Sequence, residues 1–169
     1  MSNQPETQQR PLFVGKDDEV EAPYPLKLKG NVIKGFGRGG KELGFATANL
    51  PEEVSQYAGQ FLESGILYGW ASVNSNPLVY PMVMSFGWNP YYKNEKRSAE
   101  VHIMHKFDED FYDKELRVIV AGFIRDERTY PSLDALIDDI NFDIKVANNC
   151  LARPAYNALK DDPFLKPSQ

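Results

Sequence analysis

GILYGWASVNSNPLVYPMVMSF, residues 65–86, decides the architecture. Two apolar runs, Gly65 to Val73 and Leu78 to Phe86, flank the turn-forming N-S-N-P at Asn74 to Pro77, and short runs bounded in this way read as consecutive antiparallel strands. Further along, Ala99 to Met104 is a third strand candidate. Leu116 to Ile124 (LRVIVAGFI), reached through the acidic loop FDEDFYDKE, is the most apolar one. On the N-terminal side, Leu28 and Val32 alternate with Lys27, Lys29 and Asn31, the pattern of a half-buried strand. A short extended piece follows from Ala46 to Leu50, and then PEEVSQY, where Pro51, Glu52 and Glu53 suit the first turn of a short helix.

One substantial helix is expected near the end. Ser132 is its cap, Asp134 favours the dipole of its first turn, and Leu133, Leu136, Ile137, Ile140, Ile144 and Leu151 form its apolar stripe. Short strands joined by turn-rich loops, with one late helix, predict a mainly β fold: a closed or nearly closed antiparallel barrel plugged or flanked by that helix. The polar segment to about Tyr24 is expected to be a mobile arm, residues 25–153 the one domain, and residues 154–169 a tail with no assigned role.

Composition bounds the function. The chain has 169 residues, 42% hydrophobic and 25% charged, with 19 basic residues against 24 acidic. No basic run clusters the Lys and Arg that phosphate neutralisation along a nucleic acid needs, so small-molecule partners are expected. The first two dozen residues have no apolar signal core, no run reaches bilayer length, and the single Cys150 has no internal partner. These features predict a cytoplasmic protein, and the lack of a long free amphipathic seam predicts a monomer.

The loop GFGRGGKELG, from Gly35, fits both G-x-G-x-x-G and G-x-x-x-x-G-K and satisfies the context of neither. The residues after it are extended rather than helical, and Glu42 stands where a P-loop needs Ser or Thr. Its glycines with Arg38 and Lys41 can still bring backbone N–H groups and positive charge to an anion. The same glycines serve equally in a plain hairpin turn.

Thr47 and Asn49 lie two apart in an extended stretch, so both side chains share a face where a hydroxyl and a carboxamide could reach one hard cation. Both residue types also satisfy local backbone groups near turns. In E-V-H-I-M-H, Glu100 and His102 share one face, and a carboxylate there could take a proton from an alcohol attacking a phosphate; a solvated glutamate near Lys96 or Arg97 is the alternative. His102 and His105, the only histidines, fall on opposite faces of the strand with no cysteine beside them, a poor zinc pair.

GNVIKGFGRGGKELGFATANLP, GILYGWASV, SFGWNPYYKN, SAEVHIMHKFDEDFYDKEL and RDERTYPSLDALIDDI, in that order, resemble the blocks of the riboflavin kinase family, monofunctional eukaryotic type, from about Pro25 to Leu151. The resemblance implies a six-stranded antiparallel closed barrel with a flanking C-terminal helix. It implies ATP with magnesium, or manganese or zinc, as cosubstrate and metal, and riboflavin as acceptor. Thr47 and Asn49 match the metal-binding pair of the family's P-T-A-N motif, and Glu100 matches its catalytic carboxylate. Gly35, Lys41, Thr47, His105 and Tyr112 match the ATP side, while Arg125, Arg128 and Tyr130 match a mobile segment that closes over the flavin. One departure is visible: Ala46 stands where the family has Pro, which loosens the loop without removing a ligand. The resemblance leaves no room for the adenylyltransferase domain of bifunctional relatives, so FMN and ADP are the expected products. The alternatives are a flavin- or nucleotide-binding barrel without turnover, against which the retained Thr47, Asn49 and Glu100 speak, and a structural barrel acting through protein contacts.

Overall fold

Alternation along residues 97–103 sends Ala99, Val101 and Ile103 into a fully buried core and leaves Glu100 and His102 on the opposite face, the arrangement that places the candidate site. The structure, a computed structural model, describes residues 10–33, 46–74, 78–88, 93, 95–105 and 113–166. Its strands are β1 (Leu26–Asn31), β2 (Ala46–Asn49), β3 (Gly65–Val73), β4 (Tyr80–Trp88), β5 (Arg97–Ile103) and β6 (Glu115–Arg125). They form one sheet in the order β1-β6-β3-β4-β5-β2 with every neighbouring pair antiparallel. The strands expected from the sequence are all present. Asn74, at the turn after β3, takes the left-handed φ of 53° that asparagine tolerates.

The sheet is open, not the closed barrel expected. β1 and β2 are its two edges, and among the described residues one bridge, Ile33 with Asn49, joins them, the Ile33 N–H donating to the Asn49 carbonyl at 2.9 Å. With β2 four residues long and β1 ending at Asn31, the edges meet, among the described residues, at one pair rather than along a ladder. The curled sheet is a half-barrel whose concave side holds Leu28, Leu67, Met84, Phe86, Val101 and Val118, closed below by helix α1 (Glu52–Ala58) through Ala58. Each fully buried large side chain there stabilises the fold by about 1.5–3 kcal/mol.

Helix α2 (Leu133–Leu151) lies on the other side of the sheet, chiefly against β4, β3 and β6. The Ser132 hydroxyl caps it by accepting the Ala135 N–H at 3.1 Å, a contact worth about 1 kcal/mol. Its buried face is rotated from the expected stripe. Asp143, Val146, Ala147, Cys150 and Leu151 face the sheet, whereas Leu133 is 55% exposed. A hydropathy pattern rejects an aspartate as a core position, and here two arginines compensate its charge, as described below.

Both chain ends add to this layer. The segment from Arg10 to Tyr24, expected from its polarity to be a mobile arm, is fastened along α2: the Asn149 amide donates to the Leu12 carbonyl at 3.1 Å, Arg153 to the Val14 carbonyl at 2.8 Å, and the Tyr156 hydroxyl to the Lys16 carbonyl at 2.6 Å. Few apolar anchors suffice because side chains of α2 and of the residues after it satisfy the strap's backbone groups. The C-terminal segment forms α3 (Pro154–Asn157) and two short 3-10 turns, and covers β3 through Trp70 Nε1–H to the Tyr156 carbonyl at 3.0 Å and the Ser72 hydroxyl to the Leu165 carbonyl at 2.7 Å. No helix among the described residues is long and apolar enough to cross a membrane.

Gly69 marks the closest approach of β3 and β6, beside a register shift: a Cβ there would stand 1.8 Å from the Ile119 carbonyl oxygen. Gly69→Ala is expected to destabilise the protein by about 1–3 kcal/mol, read as a lowered urea midpoint, because backbone rather than a flexible side chain must move. An unchanged midpoint would contradict this packing.

Candidate active site

The site follows from strand register. In β2 and β5, Thr47 is opposite His102 and Asn49 opposite Glu100, so four polar side chains share one patch of the sheet face. Directly opposed residues on one face stand about 5 Å apart at Cβ. The intervening Ala48 and Val101 point to the concave core and are fully buried, which fixes the polar four on the other side. This is the face that α2 covers further along the sheet, since Val83, opposite His102 in β4, packs in the cluster beneath the helix. The patch therefore lies on the helix side of the sheet.

Within the patch, His102 joins the other groups. The Thr47 hydroxyl lies 3.3 Å from His102 Nδ1, and His102 Nε2 lies 3.7 Å from Glu100 Oε1. An ionised carboxylate only accepts, so it favours the tautomer with the proton on Nε2; Nδ1 then accepts the Thr47 hydroxyl proton, and the threonine lone pairs turn outward. Burial pushes the His102 pKa below its ordinary 6.5, opposed by the Glu100 charge, and keeps the ring neutral. Sequence reasoning placed His102 beside Glu100 but weighed it only as a zinc ligand. Its contact with Thr47 depends on the pairing of β2 with β5, which no local pattern encodes.

Asn49 is 4% exposed, and its carboxamide makes no hydrogen bond to any described residue. A buried polar group left in this state costs about 1–3 kcal/mol, so it needs a reason. Thr47 and Asn49 together offer two neutral oxygens two residues apart, with a carboxylate next to them, which suits a hard divalent cation that keeps most of its shell from water and phosphate. No cluster of three or more His, Cys, Asp or Glu side chains able to hold a metal occurs among the described residues.

The other residues singled out from the sequence are placed as follows. His105, exposed, lies just beyond β5 and stacks on Tyr80 at a ring separation of 4.2 Å. Gly35, Lys41 and Tyr112 lie outside the described residues. Arg125, Arg128 and Tyr130 cluster against α2 rather than around Glu100. Arg125 is 8% exposed and donates from Nε and Nη2 to Asp143 at 2.9 and 2.8 Å, while the Tyr130 hydroxyl donates to Asp139 at 2.5 Å and Arg128 lies 3.3 Å from the same oxygen. Burial, followed by the hydrogen bond to Asp139, pushes the Tyr130 pKa up to about 12. Asp139 and Asp143 were not anticipated; an aspartate within a buried stripe was the available signal.

A single row of paired residues connects these two regions: Arg125 is opposite Ile66, Ile66 opposite Ser85, Ser85 opposite Glu100 and Glu100 opposite Asn49. At about 4.8 Å per strand, Arg125 and Glu100 stand about 14 Å apart across the sheet. Between them Gly87 leaves room for the segment after Arg125, since a Cβ there would meet the Glu127 carboxylate at 2.1 Å.

A carboxylate beside two neutral oxygen donors on one sheet face is the equipment of a metal-assisted phosphoryl transferase. The family model for flavokinase, described as riboflavin kinase, matches residues 22–151. The riboflavin kinase of Pyricularia oryzae is 50% identical over 163 residues, spanning 87% of this chain and 81% of that one; the human riboflavin kinase is 48% identical over 145 residues, spanning 86% and 93%. The crystal structure of riboflavin kinase from Trypanosoma brucei superposes with a TM-score of 0.67 at 28% identity, over 86% of this chain and 92% of that one. The chain belongs to the riboflavin kinase family.

Two stability measurements check the geometry. Asn49→Leu removes an unsatisfied buried amide and is expected to keep or raise the urea midpoint, by up to about 1–3 kcal/mol; a clear loss would mean that the carboxamide is already satisfied. For His102 the folded pKa lies below the unfolded one, so its contribution is complete above pH 6.5 and is lost as pH falls from there towards the folded value. Wild-type stability should therefore drop between about pH 7.5 and about pH 5.5 by more than that of His102→Asn. Equal drops would contradict a neutral, buried His102.

Proposed function

We propose that the chain is a riboflavin kinase that transfers the γ-phosphoryl group of ATP to the ribityl 5′-hydroxyl of riboflavin, giving FMN and ADP. The observation that carries this is the polar square of Glu100, His102, Thr47 and Asn49, set in one register on the β2–β5 side of the sheet face. Glu100 accepts the proton of the attacking 5′-hydroxyl as the oxygen–phosphorus bond forms and the bond to the ADP oxygen breaks. Thr47 and Asn49 would hold the divalent cation, magnesium by the chemistry of the donors; the buried, unsatisfied Asn49 carboxamide fits that role. When bound, the cation neutralises charge on the phosphates. Thr47 is oriented for it by donating its proton to His102.

The acceptor fits the row from Arg125 to Glu100. A tricyclic flavin ring lying toward the 125–130 segment, with its five-carbon ribityl chain extended along the sheet, spans about the 14 Å separating those strands and brings the 5′-hydroxyl to Glu100. Since Asp143 holds Arg125, we assign the outward contacts to Arg128, whose side chain is 50% exposed, and to Tyr130. The nucleotide is assigned to the side of Thr47 and His105; Gly35, Lys41 and Tyr112 join it on the family resemblance alone.

Glu100→Gln keeps shape and removes the base. FMN formation, followed by chromatography with fluorescence detection, is expected to fall by about 10²- to 10⁴-fold in kcat with an unchanged urea midpoint. A loss below about tenfold would remove Glu100 from the base role.

A further inference from the structure

The strap at the N-terminus ends, at the start of the described residues, on a guanidinium that reaches the flavin-side cluster. Arg10 Nη1 donates to Asp139 Oδ1 at 2.6 Å and Nη2 to Asp143 Oδ1 at 2.6 Å, with its guanidinium carbon 4.4 Å from the Phe142 ring centroid. It bridges two carboxylates one helical turn apart, and its side chain is 17% exposed. Those two carboxylates hold the segment 125–130: Asp143 grips Arg125, and the other oxygen of Asp139, Oδ2, accepts from the Tyr130 hydroxyl and lies 3.3 Å from Arg128 and 3.6 Å from Arg125.

We propose that Arg10 is a positioning residue for the riboflavin-binding segment 125–130, acting through Asp139 and Asp143; this rests on the kinase reading above. With Oδ1 held by Arg10, Asp139 can turn only Oδ2 to the segment, so Tyr130 and Arg128 share a defined acceptor. Without Arg10, Oδ1 of Asp139 loses its partner, so the carboxylate can offer either oxygen to Tyr130, Arg128 and Arg125, and the segment loses its single arrangement. Burial alone would raise the Asp139 carboxyl, but the Tyr130 hydrogen bond and the charges of Arg125, Arg10 and Arg128 outweigh it and hold it below the usual range, consistent with a carboxylate permanently engaged. The strap that carries Arg10 is itself anchored apart from this cluster. Val14 N–H lies 3.3 Å from Cys150 Sγ, Arg153 reaches the carbonyls of Val14 and Gly15, and Gly15 adopts a φ of 79° where a Cβ would stand 3.1 Å from the Tyr156 hydroxyl. The N-terminal segment is thus a brace for the acceptor site rather than a free arm.

The test compares wild type, R10A and R10K in the full-length chain. Riboflavin binding is followed by quenching of flavin fluorescence, KM is measured separately for riboflavin and ATP, and thermal midpoints are recorded. R10A is expected to weaken riboflavin binding and raise its KM by about tenfold, with the KM for ATP within about twofold; R10K, whose single ammonium cannot span both carboxylates with a planar fork, falls between. Unchanged riboflavin binding in R10A would overturn the proposal, and so would a parallel loss in the thermal midpoint, kcat and both KM values, which would make Arg10 merely structural. Turnover of the wild type is scored separately: riboflavin binding without FMN formation would sink the kinase reading, and the titrations of wild type and R10A would still decide the role of Arg10.

Discussion

The antiparallel register of β2 on β5 is the constraint on which the site depends. It sets Thr47 against His102 and Asn49 against Glu100, and it is enforced by Ala48 and Val101, both without exposure, which can point only to the core. A slip of β2 by one residue would turn Thr47 and Asn49 inward and Ala48 outward, away from Glu100 and His102, which the pairing of β5 with β4 holds in place. Thr47 and Asn49 lie about 50 residues from Glu100 in the chain, yet their relative position is determined by ordinary hydrophobic alternation. His102 adds the second level of order, tying the hydroxyl of one strand to the carboxylate of the next.

The same sheet face serves two purposes because α2 covers only part of it. Over β4, β3 and β6 the helix buries an apolar layer that includes Tyr68, Trp70, Val83 and Ile119; toward β5 and β2 the face is left to polar chemistry. At the β6 end of the covered layer stands Asp143, 1% exposed and held by Arg125 and Arg10. A buried carboxylate is costly unless paired, and removal of one partner from such a pair costs more than the pair contributes. Its retention makes sense as a joint connecting helix, sheet end and N-terminal strap at the place where the acceptor is proposed to enter.

Much of this was legible in the sequence, for reasons that differ by residue. Strands from Gly65 to Val73 and from Glu115 to Arg125 have turn formers or acidic loops at their ends and apolar cores, so local pattern sufficed. Alternation likewise placed Glu100 with His102, and Thr47 with Asn49, each pair on one face; that the two pairs meet required the resemblance, because strand partners distant in sequence leave no local trace. The open edge between β1 and β2 was not legible, since closure depends on whether two strand ends are long enough to form a ladder. The rotated face of α2 was missed because Asp143 breaks the apolar stripe, and the docked strap because its anchors are hydrogen bonds from Asn149, Arg153 and Tyr156 to backbone, invisible to hydropathy.

The most direct measurement is crystallographic: crystals grown with FMN, ADP and manganese, with the anomalous signal recorded to locate the ion. The account predicts one manganese peak within bonding distance of Thr47 Oγ1 and Asn49 Oδ1, with the FMN phosphoester oxygen beside Glu100. A manganese ion bound away from β2, or FMN with its phosphate far from Glu100, would contradict it.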